Sequence, residues 1–120
     1  MRREVSGPAL RAFFKIARAW QIRVIDERAL LGWPPSSTFH KYKSGDCGTL
    51  AYDTLTRLSL VLGIYKSLHV LYPNARLADA WPRMPNTHRL FGTRAPIDLM
   101  TEGEIEALFQ IRRLLDGRRQ

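Results

Sequence analysis

The stretch VIDERALLGWPPSSTFHKYK, residues 24–43, decides the fold. Val24 to Leu31 has helical character over about two turns and stops at Gly32, a residue suited to a left-handed C-terminal cap. Trp33-Pro34-Pro35 then forces a turn, because proline removes backbone donors and disfavours helical geometry in the residue before it. Pro35 can open the next helix, Ser36 to Lys43. Phe39 and Tyr42 lie three apart on one side of it, with Ser37, His40 and Lys41 elsewhere. Ser44-Gly45-Asp46-Cys47-Gly48 ends it as a loop.

Outward from this pair the helical period persists. Leu10, Phe13, Phe14 and Ala17 recur at three- and four-residue steps, with Arg11, Lys15 and Arg18 on the other side. The expected helix starts at Pro8, which suits a first turn, with Ser6 or Gly7 as its cap. Thr49 to Tyr72 is the longest helical segment: Leu55, Leu58, Leu62 and Tyr65 form a stripe that Val61, Ile64, Leu68 and Leu71 broaden. So wide an apolar face predicts burial on two sides and a homodimer. Pro73 ends this helix, and an irregular connector containing Pro82, Pro85 and Pro96 follows, with a short helix from Leu77 to Trp81. Thr101 and Glu104 have the spacing of a capping box, which places the start of the last helix there. Ile105, Leu108, Ile111 and Leu115 give that helix an inner face, Arg112 and Arg113 fall in its last turn, and Gly117 marks its stop. No segment alternates with the two-residue period of a strand, so the class is all-α. The expected divisions are 1–48, 49–73 for a central dimerisation helix, and 74–120.

The 120 residues fit one compact domain or one core with an appended subdomain. A net charge of +8 favours polyanionic partners, because each neutralised phosphate releases a counterion; a basic surface kept for solubility is the alternative. Residues 1–48 carry nine Lys/Arg against four acids, and the remainder ten against seven, so the N-terminal part is the more basic. A single cysteine, Cys47, makes no internal disulfide and fits a reducing cytoplasm. His40, His69 and His88 have no metal-ligand spacing with it, and no metal or cofactor is expected. Arg11, Lys15 and Arg18 interrupt any signal-peptide core, and no apolar run reaches membrane-spanning length. Nucleophile elbows and phosphate-cradling glycine loops are absent, which argues against an enzyme. The acids Glu102, Glu104 and Glu106 read as helix-dipole partners rather than metal ligands.

Two short helices around a glycine-containing turn are the organisation of a helix-turn-helix, whose second helix lies in the major groove. Ser36, Ser37, His40 and Lys41 are then the candidate base and phosphate contacts, with Lys43 beside them, while Phe39 and Tyr42 pack inward. A plain helical hairpin with solvated polar residues is the alternative.

The pattern Trp20…Glu27…Leu30-Leu31-Gly32…Phe39…Tyr42-Lys43…Gly45 resembles the N-terminal region of Xre/MbcA/ParS antitoxins. Thr54…Arg57-Leu58…Leu62-Gly63-Ile64-Tyr65…Leu68 is similar to their central helix. Ala80-Trp81…Pro85-Asn86…Phe91-Gly92…Pro96…Met100…Gly103 resembles their toxin-binding region. Position 23 departs from the pattern: Arg23 stands where family members often carry a small hydroxyl residue able to cap the second helix. The resemblance implies a bacterial type II toxin–antitoxin pair, in which the protein neutralises a RES-domain toxin acting on NAD, encoded nearby, and represses its own operon by binding operator double-stranded DNA. It also implies toxin contacts at Trp81, Asn86, Phe91 and Arg112, and the cationic Arg118-Arg119-Gln120 tail suits a pocket built for an anionic pyrophosphate. Trp81 and Phe91 are equally well read as core residues. A stand-alone dimeric helix-turn-helix repressor and a structural adaptor that binds no DNA are the competing functions.

Overall fold

The computed structural model describes residues 2–102 and 104–119, with side chains from Ser6 onward; Gly103 and the terminal Gln120 lie outside them. The described residues form seven α-helices and no strand: α1 (Arg2–Trp20), α2 (Val24–Leu30), α3 (Ser36–Ser44), α4 (Tyr52–Leu71), α5 (Ala75–Ala80), α6 (Pro96–Glu102) and α7 (Ile105–Arg118). A 3-10 turn, Trp81–Arg83, follows α5. The chain divides into two compact units, Met1–Leu62 and Gly63–Gln120, with α4 running through the division.

In the first unit α1 begins at Arg2 rather than at Pro8, and Ser6 is buried inside it instead of capping it. The proline ring has a helical φ and forfeits one hydrogen bond, and the residue before it, Gly7, has no Cβ to clash with the ring. Leu10, Phe13, Ala17 and Trp20 follow the helical period and are buried. Phe13 meets Phe14 edge-on at 5.1 Å between ring centroids, and Phe14 meets Phe39 of α3 at 6.1 Å. Leu30, Leu31, Leu50 and Leu58 complete this core. Along α4, Leu58 and Val61 are buried in this unit; past the division, in the second unit, Ile64 and Leu68 are buried and Val70 is 53% exposed.

The second unit departs further from the sequence-based expectation. The stretch after Pro73 is helical at both ends, in α5 with its 3-10 turn and again from Pro96, while residues 84–95 between them are turns and bends, the irregular part of the expected connector. Asn74 caps α5 by accepting from the N–H groups of Arg76 (2.9 Å) and Leu77 (3.4 Å), so this helix starts before Leu77 and ends at Ala80. Pro96 opens α6, where its missing donor costs nothing. Thr101 lies inside α6, its hydroxyl donating to the Ile97 carbonyl at 2.9 Å, so it does not form the expected capping box with Glu104. Glu104 itself is the N-terminal cap position of α7, with no side-chain cap hydrogen bond. That helix runs through Gly117 to Arg118, so Gly117 is no stop and Arg112 and Arg113 sit before the last turn. Leu108, Ile111 and Leu115 are fully buried, each contributing about 1.5–3 kcal/mol of apolar transfer. Among the described residues no helix is long and apolar enough to cross a membrane.

Candidate functional site

The start of α2, left open by Arg23, is secured by an acid instead of a hydroxyl. Asp26 Oδ2 accepts from the Arg23 backbone N–H at 3.1 Å, and both its oxygens accept from the Arg23 guanidinium. At the other end the N–H groups of Gly32 and Trp33 return to the carbonyls of Ala29 (3.0 Å) and Arg28 (2.9 Å). Gly32 has φ 86°, and a Cβ there would stand 2.8 Å from Arg57 Nε, so both conformation and space require glycine. Trp33 is also left-handed, at φ 61°. Arg28 braces this turn: its Nε donates to the Pro34 carbonyl at 2.8 Å, and its guanidinium lies 6.0 Å from the Trp33 ring centroid. Pro35 precedes α3, and Gly45 at φ 93° closes it.

Phe39 is the buried anchor of α3, and Ser36, Ser37, His40 and Lys41 are all exposed. Ser36 and His40 border a shallow groove of about 410 Å³ whose other walls include Val24, Ile25 and Trp33, each more than half exposed. No acidic side chain lines it. Lys43 differs from the other four. Its Nζ lies 2.9 Å from Glu27 Oε1, a carboxylate only 8% exposed, and about 5.5 Å from the Phe39 ring centroid. Its charge is engaged within the unit. Tyr42 is half-buried.

In the second unit Trp81 and Phe91 are buried and pack edge-on at 5.7 Å, which makes them core residues. Asn86 organises the loop between the 3-10 turn and α6. Its N–H donates to the Arg94 carbonyl (3.1 Å), its carbonyl accepts from Thr93 (3.0 Å), and its side chain accepts from the His88 N–H (2.9 Å). Arg112 fills the space that a Cβ at Gly63 would need and donates to Asp116 Oδ2 at 3.0 Å. Arg119 Nη1 donates to Ser67 Oγ at 3.2 Å, while Arg118 is exposed. Ser67, fully buried, donates to Asp116 Oδ1 at 2.7 Å. This polar cluster joins positions 49 residues apart and left no local sequence signal.

Burial pushes the Asp116 carboxyl up, but the Ser67 hydrogen bond and the charges of Arg112 and Arg119 outweigh it and hold the group below its ordinary value. A carboxyl with a lowered folded-state pKa contributes stability above its unfolded value, and that contribution is lost as pH falls through the folded one. The melting temperature of wild type should therefore exceed that of Asp116→Asn at neutral pH, with the gap closing below about pH 4. A gap that stays constant down to the acid limit counts against the cluster.

The fold and these surfaces define an all-helical protein with a short helix pair in one unit and a cation-rich terminal helix in the other. The chain is 40% identical over 110 residues to the uncharacterized protein y4oB of Sinorhizobium fredii (strain NBRC 101917 / NGR234), a match spanning 92% of this chain and 83% of that protein. It belongs to the same family as that protein. No protein-family profile and no solved structure matches the chain.

Proposed function

We propose that this chain is an antitoxin of the Xre/MbcA/ParS type, with α2 and α3 acting as a helix-turn-helix and the second unit neutralising a RES-domain toxin. The carrying observation is α3 itself: one buried aromatic, Phe39, anchors a short helix whose exposed side chains include Ser36, Ser37, His40 and Lys41. Polar side chains near the start of a groove-bound helix reach base edges, and a lysine beside them reaches phosphate. The exposed Val24, Ile25 and Trp33 offer apolar contact to thymine methyl groups. Partner binding by the second unit draws support from Val70, Leu77, Met84 and Phe109, apolar side chains left 38–53% exposed there. In this reading the protein binds DNA as a homodimer, and Trp81, Phe91 and Asn86 support the toxin-facing surface rather than form it.

The test pairs two assays. Co-expression with the toxin encoded beside it should restore growth, and the purified protein should shift its own promoter duplex with two chains per half-site pair. Lys41→Ala should weaken binding to all duplexes about tenfold, the equivalent of about 1.4 kcal/mol, whereas Ser37→Ala should change which sequence is preferred. Promoter binding without protection from the toxin would instead support a stand-alone repressor. If neither substitution alters promoter binding, α3 is not the reading helix.

A further inference from the structure

A cleft of about 260 Å³ opens in the first unit between α1 and the C-terminal end of α3. Arg11, Lys15 and Arg18 line it from α1 with Phe14 among them, and Tyr42 and Lys43 line it from α3. Residues 11, 15 and 18 are four and three apart, so helix geometry puts them on one face over about 10 Å. All three are exposed, and among the described residues none of their side chains has an ion-pair or hydrogen-bond partner. The cleft has no acidic lining residue. Like charges at this spacing repel, so the row carries an energetic cost that a bound anion relieves. Burial pushes the Tyr42 phenol up and the neighbouring Cys47 adds to the shift, so its hydroxyl stays protonated and able to donate.

We infer that this cleft binds the phosphate backbone of duplex DNA through Arg11, Lys15 and Arg18. The inference rests on the DNA-binding reading above and supplies what α3 lacks. With Lys43 held by Glu27, the exposed face of α3 has Lys41 as its cation, too little for a backbone that carries a charge every few ångströms. The row on α1 spans about 10 Å, roughly three steps of 3.4 Å along one strand, a length that carries about four phosphates and so offers one to each of the three cations. A lone phosphate would engage only part of it. Positioning then falls to α1 and sequence reading to α3, the usual division between phosphate and base contacts.

The experiment compares the full chain with the triple variant Arg11→Gln/Lys15→Gln/Arg18→Gln, whose changes are exposed and keep helix-forming residues. A second triple, Arg76→Gln/Arg83→Gln/Arg89→Gln, removes the same net charge from exposed positions of the other unit. Binding to an arbitrary-sequence duplex is followed against KCl concentration, with tripolyphosphate as a separate probe. The α1 triple should bind every duplex more weakly, with a slope of log affinity on log salt shallower by about 2.7, or 0.9 for each of three phosphates. The second triple should keep the wild-type slope. An unchanged slope in the α1 triple overturns the inference, as does an equal loss in the second triple. Tripolyphosphate binding that needs the row while the duplex does not makes the cleft a small-anion site and also overturns it. If Ser37→Ala and Lys41→Ala act as expected while the α1 triple does not, the cleft assignment alone falls. A row-dependent slope with no effect of the α3 variants removes the reading helix and leaves the cleft standing. Wild-type protein that binds no duplex removes both.

Discussion

Replacing Trp81 with alanine should lower the unfolding free energy by about 3–5 kcal/mol, the range for deleting a large buried aromatic and leaving a cavity. Trp81 is 7% exposed, follows α5 directly, and meets the edge of Phe91. Losing it removes the transfer free energy of the indole and strips Phe91 of its main aromatic neighbour. Urea denaturation should show a lower midpoint, and Trp81→Phe should recover most of it. The comparison also separates two reasons for failing to capture a partner. On the proposed toxin-binding reading, Trp81→Ala should lose capture of the toxin together with stability, whereas a polar change at the 52% exposed Leu77 should lose capture at an unchanged midpoint. A Trp81→Ala protein with the wild-type midpoint would refute the core assignment.

Lys43→Met is expected to destabilise the first unit by about 2 kcal/mol. Breaking a buried ion pair from one side costs about 3–5 kcal/mol because the surviving charge is stranded, and partial solvent access to Lys43 lowers that figure. The stranded group is Glu27, on the inner side of α2, with a side chain 8% exposed. Adding Glu27→Gln should return most of the loss, since an amide carries no charge to desolvate. Thermal melting of the single and double variants decides the matter. A single variant that melts like wild type yet binds duplex poorly would return Lys43 to the groove-facing set.

The helix pair was legible in the sequence because its punctuation is local: Gly32, Pro34-Pro35 and Gly45 mark boundaries that backbone sterics enforce within a residue or two. The same residue types misled elsewhere. Pro8 reads as a helix start and Pro96 as part of an irregular connector, but one sits inside a continuous helix behind a glycine and the other opens α6. Thr101 has capping spacing, yet its hydroxyl satisfies the Ile97 carbonyl within its own helix. For the candidate site, exposure of Ser36, Ser37, His40 and Lys41 followed from the position of Phe39 on a helical wheel. The engagement of Lys43 did not, because the pairing with Glu27 is a tertiary contact that no periodicity encodes. The cation row on α1 was visible as spacing, but only the cleft shows that its three members share one concave surface.

The turn between α2 and α3 has a thermodynamic meaning beyond its shape. A tryptophan held at positive φ costs about 1–2 kcal/mol relative to an unstrained residue, and two consecutive prolines and the Arg28 brace keep it there. Freezing the backbone of a mobile loop at the moment of binding costs about 1–2 kcal/mol for each residue. Here that ordering is completed when the chain folds, so in the proposed DNA-binding role α3 is already aimed when the duplex arrives and the interaction energy goes to recognition rather than to quieting a linker.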